Sequence, residues 1–243
     1  MNIVILDTET TSLGPFARPP VEGHVIEVGA VLWSVDQKCI VSTYSDLLNI
    51  GVENGAEAVN HISPEAMKLG SNVATVSQNL ARLVDRADAV CAHRVEFDKT
   101  FIQAMVAKPS AYPIPDKPWF CTKNSVEWPL SKPGDALAYV AIAHHVPIIE
   151  AHRALSDCLL IARCFERCAE LEYDVQKMIE RAMKPRELYK SMQSFADNSK
   201  AKEAGFGWVD DGARKGWFRT MILEPATDEY LKSLPFRVER VAE

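Results

Sequence analysis

Ile3-Val4-Ile5-Leu6-Asp7-Thr8-Glu9-Thr10-Thr11 is the stretch on which the reading of this chain turns. Its apolar start is short and rich in β-branched residues, which predicts a buried strand. The run then gives way to two carboxylates with one residue between them. In an extended chain, positions i and i+2 project to one face, so Asp7 and Glu9 point the same way from the strand's end. Carboxylates held that close repel unless a cation or a proton intervenes. Hard oxygen donors of this kind favour Mg²⁺ or Mn²⁺. The plainer alternative is a strand that runs out into a polar turn.

Outward from this strand, the chain alternates strands and helices. Ser12–Gly23 is a loop with three prolines and two glycines. Val25–Trp33 predicts a second strand and Cys39–Leu48 a third, joined as a hairpin across Asp36-Gln37-Lys38. Glu53–Leu69 is irregular, with Ser63-Pro64-Glu65 marking a helix start. Asn79–Asp85 has helical periodicity, Ala89–His93 reads as a short buried strand, and Phe97–Val106 as a helix. Pro109–Pro118 holds four prolines and is a loop. Trp119–Thr122 is a further short strand; Gly134–His145 and Ala154–Leu171 are helices with apolar stripes. This order predicts an α/β fold, a mixed sheet covered by helices.

Composition changes after about Tyr173. Gln176–Met183 and Arg186–Asn198 read as helices broken at Pro185. Asp210-Asp211-Gly212 between two aromatic, glycine-flanked segments signals a hairpin. The expected organisation is a main domain over 1–172, a linker over 173–185 and a small C-terminal α+β module over 186–243, too small to be very stable alone. Its Lys200, Lys202, Arg214, Lys215 and Arg219 are interleaved with Phe206, Trp208, Trp217 and Phe218. Such a pattern either tracks a nucleic-acid strand or builds a mini-core.

With 243 residues, 47% hydrophobic and 25% charged, the chain has the makeup of an ordinary globular protein. No apolar run approaches the roughly 18 residues that span a membrane. The N-terminus enters Ile3–Leu6 without a basic flank, so neither a signal peptide nor a membrane partner is expected. The six cysteines lie in apolar segments and form no C-x-x-C pair, which predicts reduced thiols and a cytoplasmic location. A net charge of −6 means that nucleic-acid binding must rest on a local surface or on bound metal.

Two further acidic positions complete an ordered set. Asp98 follows the buried strand Ala89–His93 at a helix start, and Asp157 lies near the start of Ala154–Leu171 with His152 five positions before it. Taken singly, Asp98 fits a helix-dipole carboxylate and His152 a surface histidine. Together, Asp7-Thr8-Glu9-Thr10-Thr11-Ser12-Leu13, Ile26-Glu27-Val28-Gly29-Ala30, Ala92-His93-Arg94-Val95-Glu96-Phe97-Asp98 and His152-Arg153-Ala154-Leu155-Ser156-Asp157 resemble the DEDDh (DnaQ-like) 3′→5′ exonucleases. That group holds polymerase proofreading subunits, ribonuclease T and exonuclease X. Cys121-Thr122 is similar as well, and the resemblance covers roughly residues 1–170. One departure stands out: the family usually has Asn where Arg94 stands.

The resemblance implies a ribonuclease-H-like exonuclease fold with a central five-stranded mixed sheet. It implies that Asp7, Glu9, Asp98 and Asp157 hold two divalent cations, Mg²⁺ or Mn²⁺, and that His152 is the general base of a two-metal hydrolysis. Nucleoside 5′-monophosphates would leave from 3′ ends of single-stranded nucleic acid, DNA somewhat favoured over RNA. Glu9 and the backbone at Thr10 and Thr11 would contact the terminal 3′ hydroxyl, and Leu13 would wedge against the last bases, its alternative being a loop residue on the core. His61 would lie near the substrate, while Phe97 reads as core rather than base platform. Arg94 would either clamp a phosphate or pair with Glu96 or another surface acid. A homodimer or a larger nucleic-acid-processing complex is left open. One alternative is a catalytically idle nucleic-acid-binding module that keeps the fold, against which the presence of all five site residue types argues; the other is a partner protein whose carboxylates are surface charges, which an absence of Mn²⁺ binding would favour.

Overall fold

The protein's structure, a computed structural model, describes residues 1–149, 152–193, 198–210 and 214–241. They form two compact units, Met1–Met183 and Lys184–Glu243. In the first, chain order is β1 (Asn2–Thr10), a 3₁₀ turn at Gly14–Phe16, β2 (Val25–Ser34), β3 (Cys39–Leu47), α1 (Glu57–Asn60), α2 (Pro64–Lys68), α3 (Val73–Asp85) and β4 (Ala89–Ala92). There follow α4 (Val95–Val106), β5 (Trp119–Cys121), α5 (Leu137–Ala143), α6 (Ala154–Glu170) and α7 (Val175–Met183). The sheet has five strands in the order β3-β2-β1-β4-β5. β1 pairs antiparallel with β2 and parallel with β4, so the sheet is mixed, as expected.

Strand parity sorts the core. Ile3 and Ile5 pack with Trp33, Cys158, Ile161 and Phe165 on the face covered by α6. Val4 and Leu6 pack with Val76, Leu80, Phe101 and Ile102 on the face covered by α3 and α4. An odd-numbered residue of β1 therefore looks toward α6 and an even-numbered one toward α3 and α4. β4 stops pairing with β1 at Ile5↔Cys91, so β1 runs on beyond its parallel neighbour from Leu6 to Thr10. Along that overhang the β4 side of β1 carries no parallel partner, which leaves room for polar groups.

Several expectations change. The span 173–185 is not a bare linker: α7 occupies most of it, and Val175, Ile179 and Ala182 are buried in the first unit's core. α3 begins at Val73 rather than Asn79, because the Asn72 side chain accepts from the Thr75 N–H and caps it. Ser63 caps α2 as expected, accepting from the Ala66 N–H. Five of the six cysteines are buried, and Cys39 is exposed on the outer strand β3.

Among its described residues, the second unit has a four-stranded antiparallel sheet, order β7-β8-β6-β9, and two helices. Its elements are β6 (Arg186–Ser191), α8 (Asn198–Glu203), β7 (Gly207–Asp210), β8 (Lys215–Ile222), α9 (Pro225–Ser233) and β9 (Val238–Val241). The helix expected over Arg186–Asn198 is thus a strand at its start. β6 is flanked by β8 and β9, and pairing on both edges overrides local helix propensity. Positions 194–197 of that expected helix lie outside the described residues, as do Asp211 and Gly212 of the expected turn. β7 and β8 do pair as a hairpin, with Asp210 opposite Lys215. Among the described residues no helix is long and apolar enough to cross a membrane.

Candidate active site

Asp7 and Glu9 extend the odd-numbered face of β1 past the core, toward α6. Asp157 lies in the first turn of α6. A carboxylate oxygen of each of the three falls within 4.8 Å of the others. Asp98, on the first turn of α4, is 2% exposed and approaches the same strand from its other side. Its Oδ1 accepts from the Thr8 backbone N–H at 3.0 Å and the Thr8 hydroxyl at 2.9 Å. Three of the expected ligands therefore converge, and the fourth is held one residue along, tied to the strand between Asp7 and Glu9.

This crowding is costly for charge. Burial pushes the Asp7 carboxyl well above the usual range, and the charges of Asp98, Asp157, Glu9 and Glu27 push it further. Glu9 is raised to about 7 by burial and then by Asp157, Glu27 and Asp98, against a lowering from Arg153. Asp98 is raised to about 7 by burial, with the Thr8 hydrogen bonds working the other way. Asp157 is raised by burial. Carboxylates in this arrangement hold protons near neutral pH unless a cation takes their place. An all-oxygen, net-negative donor set suits a hard divalent ion.

His152 stands just before α6, exposed, with φ +63°. Its backbone N–H donates to the Asp157 carboxylate. Thr10 and Thr11 are buried, and their hydroxyls are engaged in shaping the turn. Thr10 donates to the Ser12 carbonyl at 2.7 Å, and Thr11 accepts from the His24 N–H at 3.0 Å. Leu13 is 53% exposed beyond that turn. His61 is exposed, with φ +55°, at the end of α1. Its neighbour Asn60 is buried and donates from Nδ2 to the Thr10 carbonyl at 3.2 Å, which pins this segment to the end of β1.

Arg94 precedes α4. Among the described residues it has no salt bridge, so the pairing with Glu96 does not form. Its guanidinium lies 5.8 Å from the Phe97 ring centroid. Phe97 in turn contacts Phe16 and Phe101 at ring separations of 5.4 and 4.7 Å. Phe97 is half-buried against the core, as expected.

The sequence profile of the exonuclease family matches residues 4–165, about two-thirds of the chain. The chain belongs to the exonuclease family. Its exonuclease region is 26% identical over 165 residues to the 3′-5′ exonuclease DinG of Staphylococcus epidermidis. That match takes in 64% of this chain and only 18% of the length of that relative. The nuclease domain of 3′hExo, a DEDDh family member solved with rAMP, superposes with a TM-score of 0.57 at 16% identity, over 71% of this chain and 94% of that one. Exonuclease X with 5′ overhanging duplex DNA gives 0.51 at 18%, over 74% and 99%. Escherichia coli exonuclease I with a dA16 oligonucleotide gives 0.56 at 12%, over 79% and 48%. The fold is thus shared with DEDDh nucleases, in agreement with the resemblance carried by the motifs.

Three residues of the exonuclease unit join the site without having been assigned a part from sequence. Thr8 holds Asp98. Glu27 is 1% exposed on β2, directly opposite Glu9. Arg153 donates to Glu27 from Nε at 3.2 and 3.1 Å and from Nη2 at 2.7 Å. A lone carboxylate inside the apolar run Val25-Ile26-Glu27-Val28-Gly29-Ala30-Val31 was the available signal, since a buried acid needs a partner.

In the C-terminal unit the aromatic residues turn mostly inward, whereas Lys200, Lys202, Arg214 and Lys215 are exposed. Phe206 and Phe218 are buried, and Trp217 donates from Nε1 to Asn198 at 2.9 Å. Arg219 donates from Nη1 to the Ala204 carbonyl and the Tyr230 hydroxyl, at 2.7 and 2.9 Å. Lys215 pairs with Asp210 at 3.0 Å. Of the four aromatics singled out from sequence, Trp208 alone is exposed, at 48%.

Proposed function

We propose that the protein is a metal-dependent 3′→5′ exonuclease that removes nucleoside 5′-monophosphates from single-stranded nucleic acid, DNA favoured over RNA. The observation that carries this reading is the convergence of Asp7, Glu9 and Asp157 at the overhanging end of β1, with Asp98 tied to Thr8. The nucleic-acid ligands of the superposable nucleases support the substrate class.

Asp7, Glu9, Asp98 and Asp157 would hold two divalent cations, Mg²⁺ or Mn²⁺. When bound, these would neutralise the carboxylates and the incoming phosphate and make a water more acidic. Thr8 keeps the Asp98 carboxyl fixed beside the strand. His152 takes the proton of the attacking water, a task suited to imidazole near neutral pH. Attack at phosphorus displaces the 3′ oxygen of the preceding nucleotide. The Glu9 side chain and the backbone at Thr10 and Thr11 hold the terminal 3′ hydroxyl. Leu13 packs against the last base, and His61, on the segment pinned by Asn60, flanks the strand. Arg94, backed by Phe97, contacts a phosphate. Residues 186–243 form an accessory module whose aromatic residues chiefly maintain its own core, while Lys200, Lys202, Arg214 and Lys215 are exposed. The free thiols suit the reducing cytoplasm.

The test is a digestion panel of matched single-stranded, duplex and overhang DNA and RNA, labelled at either end, with and without Mn²⁺. The reading requires Mn²⁺-dependent release of mononucleotides from the 3′ end. Binding without turnover would favour an idle nucleic-acid-binding module instead.

A further inference from the structure

Glu27 is an improbable residue for its position. It sits near the start of an all-buried strand, at 1% exposure, directly across from another acid, Glu9. Like charges opposite one another destabilise a sheet, and a buried carboxylate is expensive without partners. The partners all come from one place, the start of α6. Besides the three contacts from Arg153, Glu27 Oε2 accepts from the Ala154 backbone N–H at 3.0 Å.

That N–H is one of the unpaired donors of a helix N-terminus. The residue at the N-cap of α6 is Arg153, whose own side chain makes no capping bond. Glu27 thus caps α6 from a neighbouring strand. Two residues along, Gly29 lets the helix start lie against β2. A Cβ there would stand 2.2 Å from the Ala154 carbonyl carbon and 2.3 Å from the Leu155 nitrogen. Glu27 and Gly29 are the cross-strand partners of Glu9 and Asp7. One strand therefore presents carboxylates while its neighbour, in the same register, seats the helix that brings Asp157 and, just before it, His152.

We propose that Glu27 and Arg153 form a positioning pair that seats the start of α6 on β2 and so sets the placement of His152 over the carboxylate edge. This rests on the reading of His152 as the general base. Glu27 is not itself a ligand in this scheme, since both its oxygens already accept from Arg153 or Ala154. Arg153 joins directly to His152, whose backbone has the left-handed φ and donates to Asp157.

The experiment uses the full chain, a 5′-labelled single-stranded oligonucleotide and Mn²⁺. Glu27→Gln is expected to lower kcat roughly 10–100-fold, the usual range for a group that orients a site residue, with KM and Mn²⁺ affinity changed little. Arg153→Gln, at a partly exposed position, provides the same readout if Glu27→Gln folds poorly. The decisive arm places each substitution in a His152→Ala background. If the pair acts through His152, the second change adds little there, because groups that act as a unit are non-additive. Two outcomes overturn the proposal alone: His152→Ala slow but both single variants at the wild-type kcat, or losses that multiply in the double variants. His152→Ala at the wild-type rate would instead remove the general-base reading, and the proposal with it.

Discussion

Two arginines in this protein lie over aromatic rings, and their surroundings differ in an instructive way. Arg219, in the C-terminal unit, lies 5.2 Å from the Tyr230 ring centroid and also donates to the Ala204 carbonyl and the Tyr230 hydroxyl. Arg94, in the exonuclease unit, lies 5.8 Å from Phe97, is exposed, and has no ion pair among the described residues. The same contrast holds for the units around them. In the C-terminal unit, Phe206, Trp217, Tyr230 and Arg219 find their partners around a small core. The carboxylates at the end of β1 burden one another, and their pKa values rise together. Polar groups with internal partners hold a fold; polar groups gathered without them await a ligand.

The largest expected effect breaks the acidic cluster. Asp7→Ala, Glu9→Ala, Asp98→Ala or Asp157→Ala should each lower turnover by orders of magnitude, because each opens the cation shell. Near-normal turnover in any of the four would remove that residue from the site. Next comes His152→Ala, expected to slow the reaction roughly 10²–10⁴-fold, the range for a lost general base. Calorimetry should find Mn²⁺ affinity nearly intact in that variant; a large loss would make His152 a ligand.

A third measurement tests whether the cluster strains the metal-free fold. Glu9 and Asp98 have folded-state values of about 7, above their ordinary 4.5 and 3.8. The folded state then binds more protons than the unfolded state, so stability falls as pH rises from the usual carboxylate range through about 7. The melting temperature without metal should drop between about pH 5 and pH 8. Saturating Mn²⁺ should reverse the drop, because it binds the folded state selectively. A flat profile would show that the carboxylates are not strained.

The smallest effects separate the two arginines. Arg219→Ala should destabilise the C-terminal unit by about 1–3 kcal/mol through the loss of its charge-assisted hydrogen bonds to the Ala204 carbonyl and the Tyr230 hydroxyl and leave cleavage of a dinucleotide unchanged. Arg94→Ala should leave the melting temperature unchanged, raise KM, and flatten the dependence of KM on salt. The opposite assignment, a KM effect from Arg219 and a melting effect from Arg94, would invert the comparison.

Much of this was legible in local pattern. Alternation in Ile3–Leu6 continued into Asp7 and Glu9 placed both carboxylates on one side, and β1 carries them there. The apolar stripe of Ala154–Leu171 became α6, and Ser63 capped the helix it was expected to cap. Periodicity and capping act over a few residues, so sequence alone reveals them. The strand at Arg186–Ser191 was not visible in this way, because its state depends on β8 and β9, which come later in the chain.

Sequence by itself therefore determined most element types of the first unit, though not the short helix Glu57–Asn60, together with the facing of Asp7 and Glu9 and the residue types available for catalysis. Tertiary structure decided which distant groups serve them. Thr8 meets Asp98 across 90 positions, and Glu27 meets Arg153 across 126. Such pairings follow from sheet register and from how closely a helix can approach a glycine. Both are properties of the packed chain, and a buried acid such as Glu27 is tolerable only once that packing has supplied its partners.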